Sequence, residues 1–113
     1  MAELNDYNPE QYKRLVKNLY NQYEEIKLPP EYASFVENNL LRFLIRLSRY
    51  KFVSKQLHPD DNILEIGCGS GLGSIFLSQY CHSVKGIDIE PRLIDEAQSI
   101  NLRSNVNFET KNF

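Results

Sequence analysis

The chain has 113 residues, 42% of them hydrophobic and 25% charged, with a net charge of −2. That is enough apolar material for one core and not two, and the acidic balance argues against a broad nucleic-acid-binding face. No apolar run approaches the ~20 residues a bilayer span needs, and the polar start Met1–Glu10 does not have the pattern of a signal peptide.

Asn8-Pro9-Glu10-Gln11 reads as a helix start, with Asn8 as N-cap and Pro9 in the first turn. Tyr12, Leu15, Val16, Leu19, Tyr20, Tyr23 and Ile26 then recur at helical spacing until Pro29-Pro30 stops the run. The tyrosine row is expected to pack in the core, with Tyr12, Tyr20 and Tyr23 as weaker substrate-side candidates. A second helix is expected from about Glu31 to Lys55. Its apolar residues, Phe35, Leu40, Leu41, Phe43, Leu44, Ile45 and Leu47, cover much of its circumference and predict good burial. Arg42, Arg46, Arg49 and Lys51 give it a basic stripe, read as a solvated face, with an anionic substrate or nucleic acid as the minority reading. His58-Pro59-Asp60-Asp61 is the turn leading into the first strand.

The most informative stretch is Ile63-Leu64-Glu65-Ile66-Gly67-Cys68-Gly69-Ser70-Gly71. Ile63, Leu64 and Ile66 predict a strand buried on both faces of a parallel sheet. Gly67 permits a sharp exit, and Gly69 and Gly71 leave no Cβ between backbone and ligand. Leu72 to Tyr80 has helical spacing, so the loop opens a helix whose amides are expected to face the ligand. A second apolar run, Val84–Ile87, ends in Asp88, 17 residues after Gly71. Strand, glycine loop, helix and acid-terminated strand are the order of a Rossmann-like half-domain. The dinucleotide pattern G-x-G-x-x-G fails in both registers, because Leu72 or Ser74 stands at its sixth position. A carboxylate two residues before the first glycine suits a cationic ligand better than a pyrophosphate.

In this form, Glu65-Ile66-Gly67-Cys68-Gly69-Ser70-Gly71 resembles the first motif of the class I S-adenosylmethionine-dependent methyltransferases. The resemblance implies S-adenosylmethionine as cofactor. It implies that Asp88 accepts from both ribose hydroxyls, that Ile89 lies against the adenine, and that Glu65 sits near the methionine end over the backbone of Gly67, Cys68, Gly69 and Gly71. A third strand, Asn105–Glu109, leads to Asn112, which stands where the family usually has an aspartate accepting from the adenine amino group. Arg49–Lys55 and Glu90-Pro91 are similar to small bacterial methyltransferases of surface-polysaccharide or other small-molecule pathways. A small-molecule or saccharide-type acceptor is therefore expected, with nucleic acid disfavoured.

The fold class expected is α/β, a Rossmann-like parallel sheet of three strands with two connecting helices, preceded by two N-terminal helices. Residues 1–58 form a helical segment on the cap or substrate side, and residues 59–113 a cofactor-binding half-domain. The family's sheet has seven strands, so the expectation is an N-terminal fragment, with self-association through the unpaired sheet edge as the alternative. No residue stands out as a catalytic base. Two cysteines, Cys68 and Cys81, suggest no disulfide framework and a cytoplasmic setting, Cys68 is a poor candidate nucleophile, and no Cys/His cluster has metal-ligand spacing. Two other readings stand beside the enzyme: a truncated non-catalytic cofactor-binding protein, and an NAD(P)- or FAD-binding oxidoreductase fragment.

Overall fold

A computed structural model describes residues 8–25 and 27–113. Its eight elements, in chain order, are α1 (Pro9–Tyr23), α2 (Pro30–Asn38), α3 (Leu40–Ser54), β1 (Asn62–Ile66), α4 (Leu72–Leu77), β2 (Ser83–Asp88), α5 (Pro91–Ile100) and β3 (Val106–Thr110). The strands form one parallel sheet in the order β1-β2-β3. This is the α/β architecture expected from the sequence.

The register explains which residues are core. Ile63, Val84 and Val106 lie abreast, as do Glu65, Gly86 and Phe108. The alternation of a strand sends both rows to one face, which α4 and α5 cover. Cys68, Leu77, Val84, Ile94, Ala97, Val106 and Phe108 form the buried cluster there. Gly86 makes room for it, since a Cβ at that position would stand 2.7 Å from Phe108 Cδ1. The opposite face carries Leu64 and Ile66, 56% and 58% exposed, and an ion pair in which Lys85 Nζ meets Glu109 Oε2 at 2.6 Å. That contact holds the Glu109 carboxyl below its usual range. β1 is therefore covered on one face only, contrary to the expectation of burial on both.

The helices before β1 depart further from expectation. The Asn8 carboxamide oxygen accepts from the Glu10 and Gln11 amides at 2.9 and 3.4 Å, so α1 begins where its cap predicts. Its apolar stripe, however, packs against little: Tyr12, Leu15, Leu19, Tyr20 and Tyr23 are all exposed, so the tyrosine row is not core. Ile26, counted in that stripe, lies outside the described residues. The expected second helix is two helices, because Asn39 takes φ −155°, ψ 48° and interrupts the helical ladder between α2 and α3. Nor is it well buried, for Leu40, Leu41, Leu44 and Ile45 are exposed. The His58–Asp61 turn forms as read: the Asp61 carboxylate accepts from the His58 amide at 2.7 Å. α4 stops at Leu77, short of Tyr80, and Asn105 Nδ2 donates to the Ser78 carbonyl just beyond its end at 2.8 Å. No helix among the described residues is long and apolar enough to cross a membrane.

Candidate functional site

β1 ends at Ile66, and the chain turns through Gly67, Gly69 and Gly71 with φ of +76°, +58° and +88°. All three lie in the left-handed region that a side chain disfavours, so glycine is required at each for the loop to take this path. The loop is stitched to β2, with the Gly67 and Cys68 amides donating to the Ile87 carbonyl at 2.8 and 3.0 Å. Asp88, at the carboxyl end of β2, closes the arrangement. Its Oδ2 accepts from the Gly69 amide at 2.9 Å and its Oδ1 from the Glu90 amide at 3.0 Å. The loop and the distant acid thus converge. A Cβ built on Gly67 meets nothing within 4 Å, so the space beside that glycine is open.

The other candidates take varied positions. Glu65 is half-buried; its Oε1 accepts from the Ser74 hydroxyl at 2.6 Å, and the Tyr50 hydroxyl also bonds to it. Cys68 is buried beneath the loop. Burial, with the Glu65 and Asp88 charges nearby, pushes its thiol up to about 12, so it stays protonated and unreactive near neutral pH. Ile89 is 60% exposed just past Asp88. Asn112 is exposed beyond β3, and the neighbouring Lys111 amide donates to the Asp88 carbonyl at 2.8 Å, fastening that segment beside the end of β2. Among the described residues no group of His, Cys, Asp and Glu has the arrangement of a metal site.

The raised thiol has a pH consequence. An unfolded Cys68 ionises near its ordinary 9.0 and the folded one only near about 12. Stability is therefore untouched below the unfolded value and falls as pH climbs from about 9 towards 12. Burial raises Tyr32 and Tyr50 above their ordinary 10.0 and adds to the same loss. Urea midpoints at about pH 8 and about pH 10.5 are expected to differ clearly, with the alkaline one lower. Equal midpoints would contradict the buried placement of these groups.

A set of residues with no local signal in the sequence covers the loop from the N-terminal side. Tyr32 Oη, on α2, accepts from the Leu72 amide at 2.6 Å. The first amide of α4 is thereby satisfied by a tyrosine, contrary to the expectation that it faces a ligand. Ser70 Oγ lies 2.8 Å from Glu31 Oε2 and 2.9 Å from Glu96 Oε2, and Arg46 Nη1 reaches Glu31 Oε1 at 3.3 Å. Glu31 and Arg46 sit over Gly69, where a Cβ would come within 3.3 Å of the Glu31 carboxylate. The tyrosines at the loop are thus Tyr32 and Tyr50, not Tyr12, Tyr20 or Tyr23.

Four carboxylates, Glu31, Glu65, Asp88 and Glu96, hydrogen-bond on or beside the loop, with Arg46 as the cation paired among them. Such a surround repels a pyrophosphate and favours a ligand carrying positive charge. With Leu72 N–H already bonded, the helix terminus that normally holds a dinucleotide phosphate is also engaged. Fold and site together define a Rossmann-like α/β unit in which the glycine loop after β1 and the acid that ends β2 meet at the carboxyl ends of the strands.

Comparison with known proteins narrows this. Residues 63–113 match the family model described as a methyltransferase domain. The chain is 36% identical over 85 residues to the 18S rRNA (guanine-N(7))-methyltransferase of Bos taurus, an alignment covering 65% of this chain and 30% of that protein. It is 39% identical over 54 residues to the ribosomal protein L11 methyltransferase of Geobacillus thermodenitrificans (strain NG80-2), covering 47% and 17%. The solved structure of YcgJ from Bacillus subtilis shares the fold, with TM-score 0.52 and 22% identity over 55% of this chain and 29% of that one. Residues 63–113 are thus similar to a methyltransferase domain, and the three strands form a parallel sheet of the Rossmann-like kind that the YcgJ structure shares. The chain spans less than a third of the length of these curated relatives. The expectation of a small-molecule or saccharide acceptor, with nucleic acid disfavoured, is overturned: the relatives are named for ribosomal RNA and a ribosomal protein. Net charge is a weak guide here because it averages over the whole chain.

Proposed function

We propose that this chain is the S-adenosylmethionine-binding half of a methyltransferase that acts on a component of the ribosome. The observation that carries the reading is the bond from the Gly69 amide to Asp88 Oδ2, which brings the glycine loop and the acid that ends β2 together. In this reading Asp88 holds the ribose hydroxyls, and the backbone of Gly67, Cys68, Gly69 and Gly71 supports the methionine portion near Glu65. Ile89 and Asn112 flank the adenine. When bound, the cofactor supplies an electrophilic methyl on a sulfonium, and the four carboxylates around the loop suit that positive charge. Residues 59–113 are the cofactor-binding unit, and Glu31, Tyr32, Arg46 and Tyr50 of the helical segment before it are its covering side chains. The acceptor class follows the relatives of printed ribosomal function. Two free cysteines, one of them buried, suit a reducing, cytoplasmic setting.

Titration calorimetry of the chain against S-adenosylmethionine, S-adenosylhomocysteine and NAD tests this. Binding of the two sulfur nucleosides without NAD is the expected result. NAD binding in the absence of S-adenosylmethionine binding would reverse the assignment.

A further inference from the structure

Between α2 and α3 lies a groove of about 580 Å³ that shares Arg46 with the contact covering the glycine loop. Phe35, Leu41 and Ile45 give it an apolar lining, and Arg42, Arg46 and Arg49 line it with positive charge. The three arginines stand at i, i+4 and i+7 of one helix, so they share a face that extends about 10 Å along the axis. No carboxylate lines the groove. Arg46 spends its charge on Glu31, whereas Arg42 and Arg49 have no ion-pair partner among the described residues. Leu41 is 71% exposed, so the apolar part of the lining is open to a ligand.

We propose that this groove docks single-stranded RNA and leads it to the glycine-loop site; the proposal rests on the methyltransferase reading and specifies its acceptor as RNA rather than protein. Uncompensated guanidiniums strung along a helix, further apart than one phosphate group spans, match the successive phosphates of a chain better than a single small anion. The exposed aliphatic surface of Leu41 and Ile45 between them offers the faces of unstacked bases an apolar support beside the positive charge that tracks the backbone. A poly-glutamate chain would satisfy the arginines but has no aromatic planes to cover Leu41 and Ile45. Arg46 connects the two regions, since one nitrogen bonds Glu31 and the other lies 3.7 Å from where a Cβ on Gly69 would be. RNA lying along Arg42 and Arg49 thus runs beside the residues that cover the cofactor loop.

The test is fluorescence anisotropy of the full chain with a labelled single-stranded RNA of about 10 nucleotides over a salt series. The Arg42→Ala/Arg49→Ala variant is expected to bind at least about 10-fold more weakly, and its salt slope to fall by about 1.4, the loss of two phosphate contacts. Arg42→Lys/Arg49→Lys is expected to keep most of the slope. Both side chains are exposed, so the fold survives, which circular dichroism checks. An alanine variant with the affinity and slope of the parent chain overturns the proposal. So does tighter binding of a poly-glutamate peptide of equal length, which would assign the groove to an acidic protein. Calorimetry with S-adenosylmethionine on the same samples keeps the two readings apart: its failure counts against the cofactor assignment, and the anisotropy counts for or against the groove.

Discussion

A Gly71→Ala protein is expected to lose about 2–5 kcal/mol of stability, most of it through packing rather than backbone strain. At φ +88° an alanine costs about 1–2 kcal/mol for the left-handed conformation alone. The added methyl would also stand 2.6 Å from Phe108 Cζ and 2.7 Å from Ala97 Cβ. Both neighbours are core residues, Ala97 fully enclosed, so neither ring nor helix has room to yield. Overpacking of this kind adds about 1–3 kcal/mol. Gly67→Ala is the control, because its φ is also positive but its Cβ would meet nothing within 4 Å. It is expected to cost only the backbone part. Urea denaturation of the three proteins gives the comparison, and a Gly71→Ala loss no larger than that of Gly67→Ala would refute the packing account.

That comparison shows why the glycine loop was legible in the sequence. Three glycines between a strand and a helix report a backbone requirement that no other residue meets, and Asp88 comes at the distance one helix and one strand demand. These are local signals, and the structure brings their residues together. The cover over the loop is not local. Glu31 meets Ser70 across 39 residues and Tyr32 meets Leu72 across 40, and nothing in the spacing of α2 announces either contact. The division of the long helix at Asn39 was equally hidden, since asparagine is tolerated within helices and the apolar pattern runs on through it. The apolar residues of α1 and of β1's outer face read correctly as apolar. Burial, however, belongs to the partner as much as to the residue, and the described chain offers Leu64, Ile66 and the tyrosine row little to pack on.

Asp88→Ala is expected to weaken S-adenosylmethionine binding by about 1–3 kcal/mol and to destabilise the chain by a similar amount. The two effects have one source. An ionised carboxylate has about four acceptor positions. Two are spent on the Gly69 and Glu90 amides, which fix the loop and the entry to α5. The two that remain match a pair of ribose hydroxyls. Removing the side chain therefore strands two amides and removes the hydroxyl acceptor together, so affinity alone does not separate direct contact from loop support. An analogue of S-adenosylhomocysteine lacking the ribose hydroxyls does. If Asp88 binds them, the parent chain loses affinity for the analogue while the alanine variant, already without the acceptor, loses little more. The coupling between side chain and hydroxyls, read by calorimetry as a double-mutant cycle, is then on the order of 1–3 kcal/mol. Equal penalties in both proteins would leave Asp88 as a brace for the loop and move the ribose contact elsewhere.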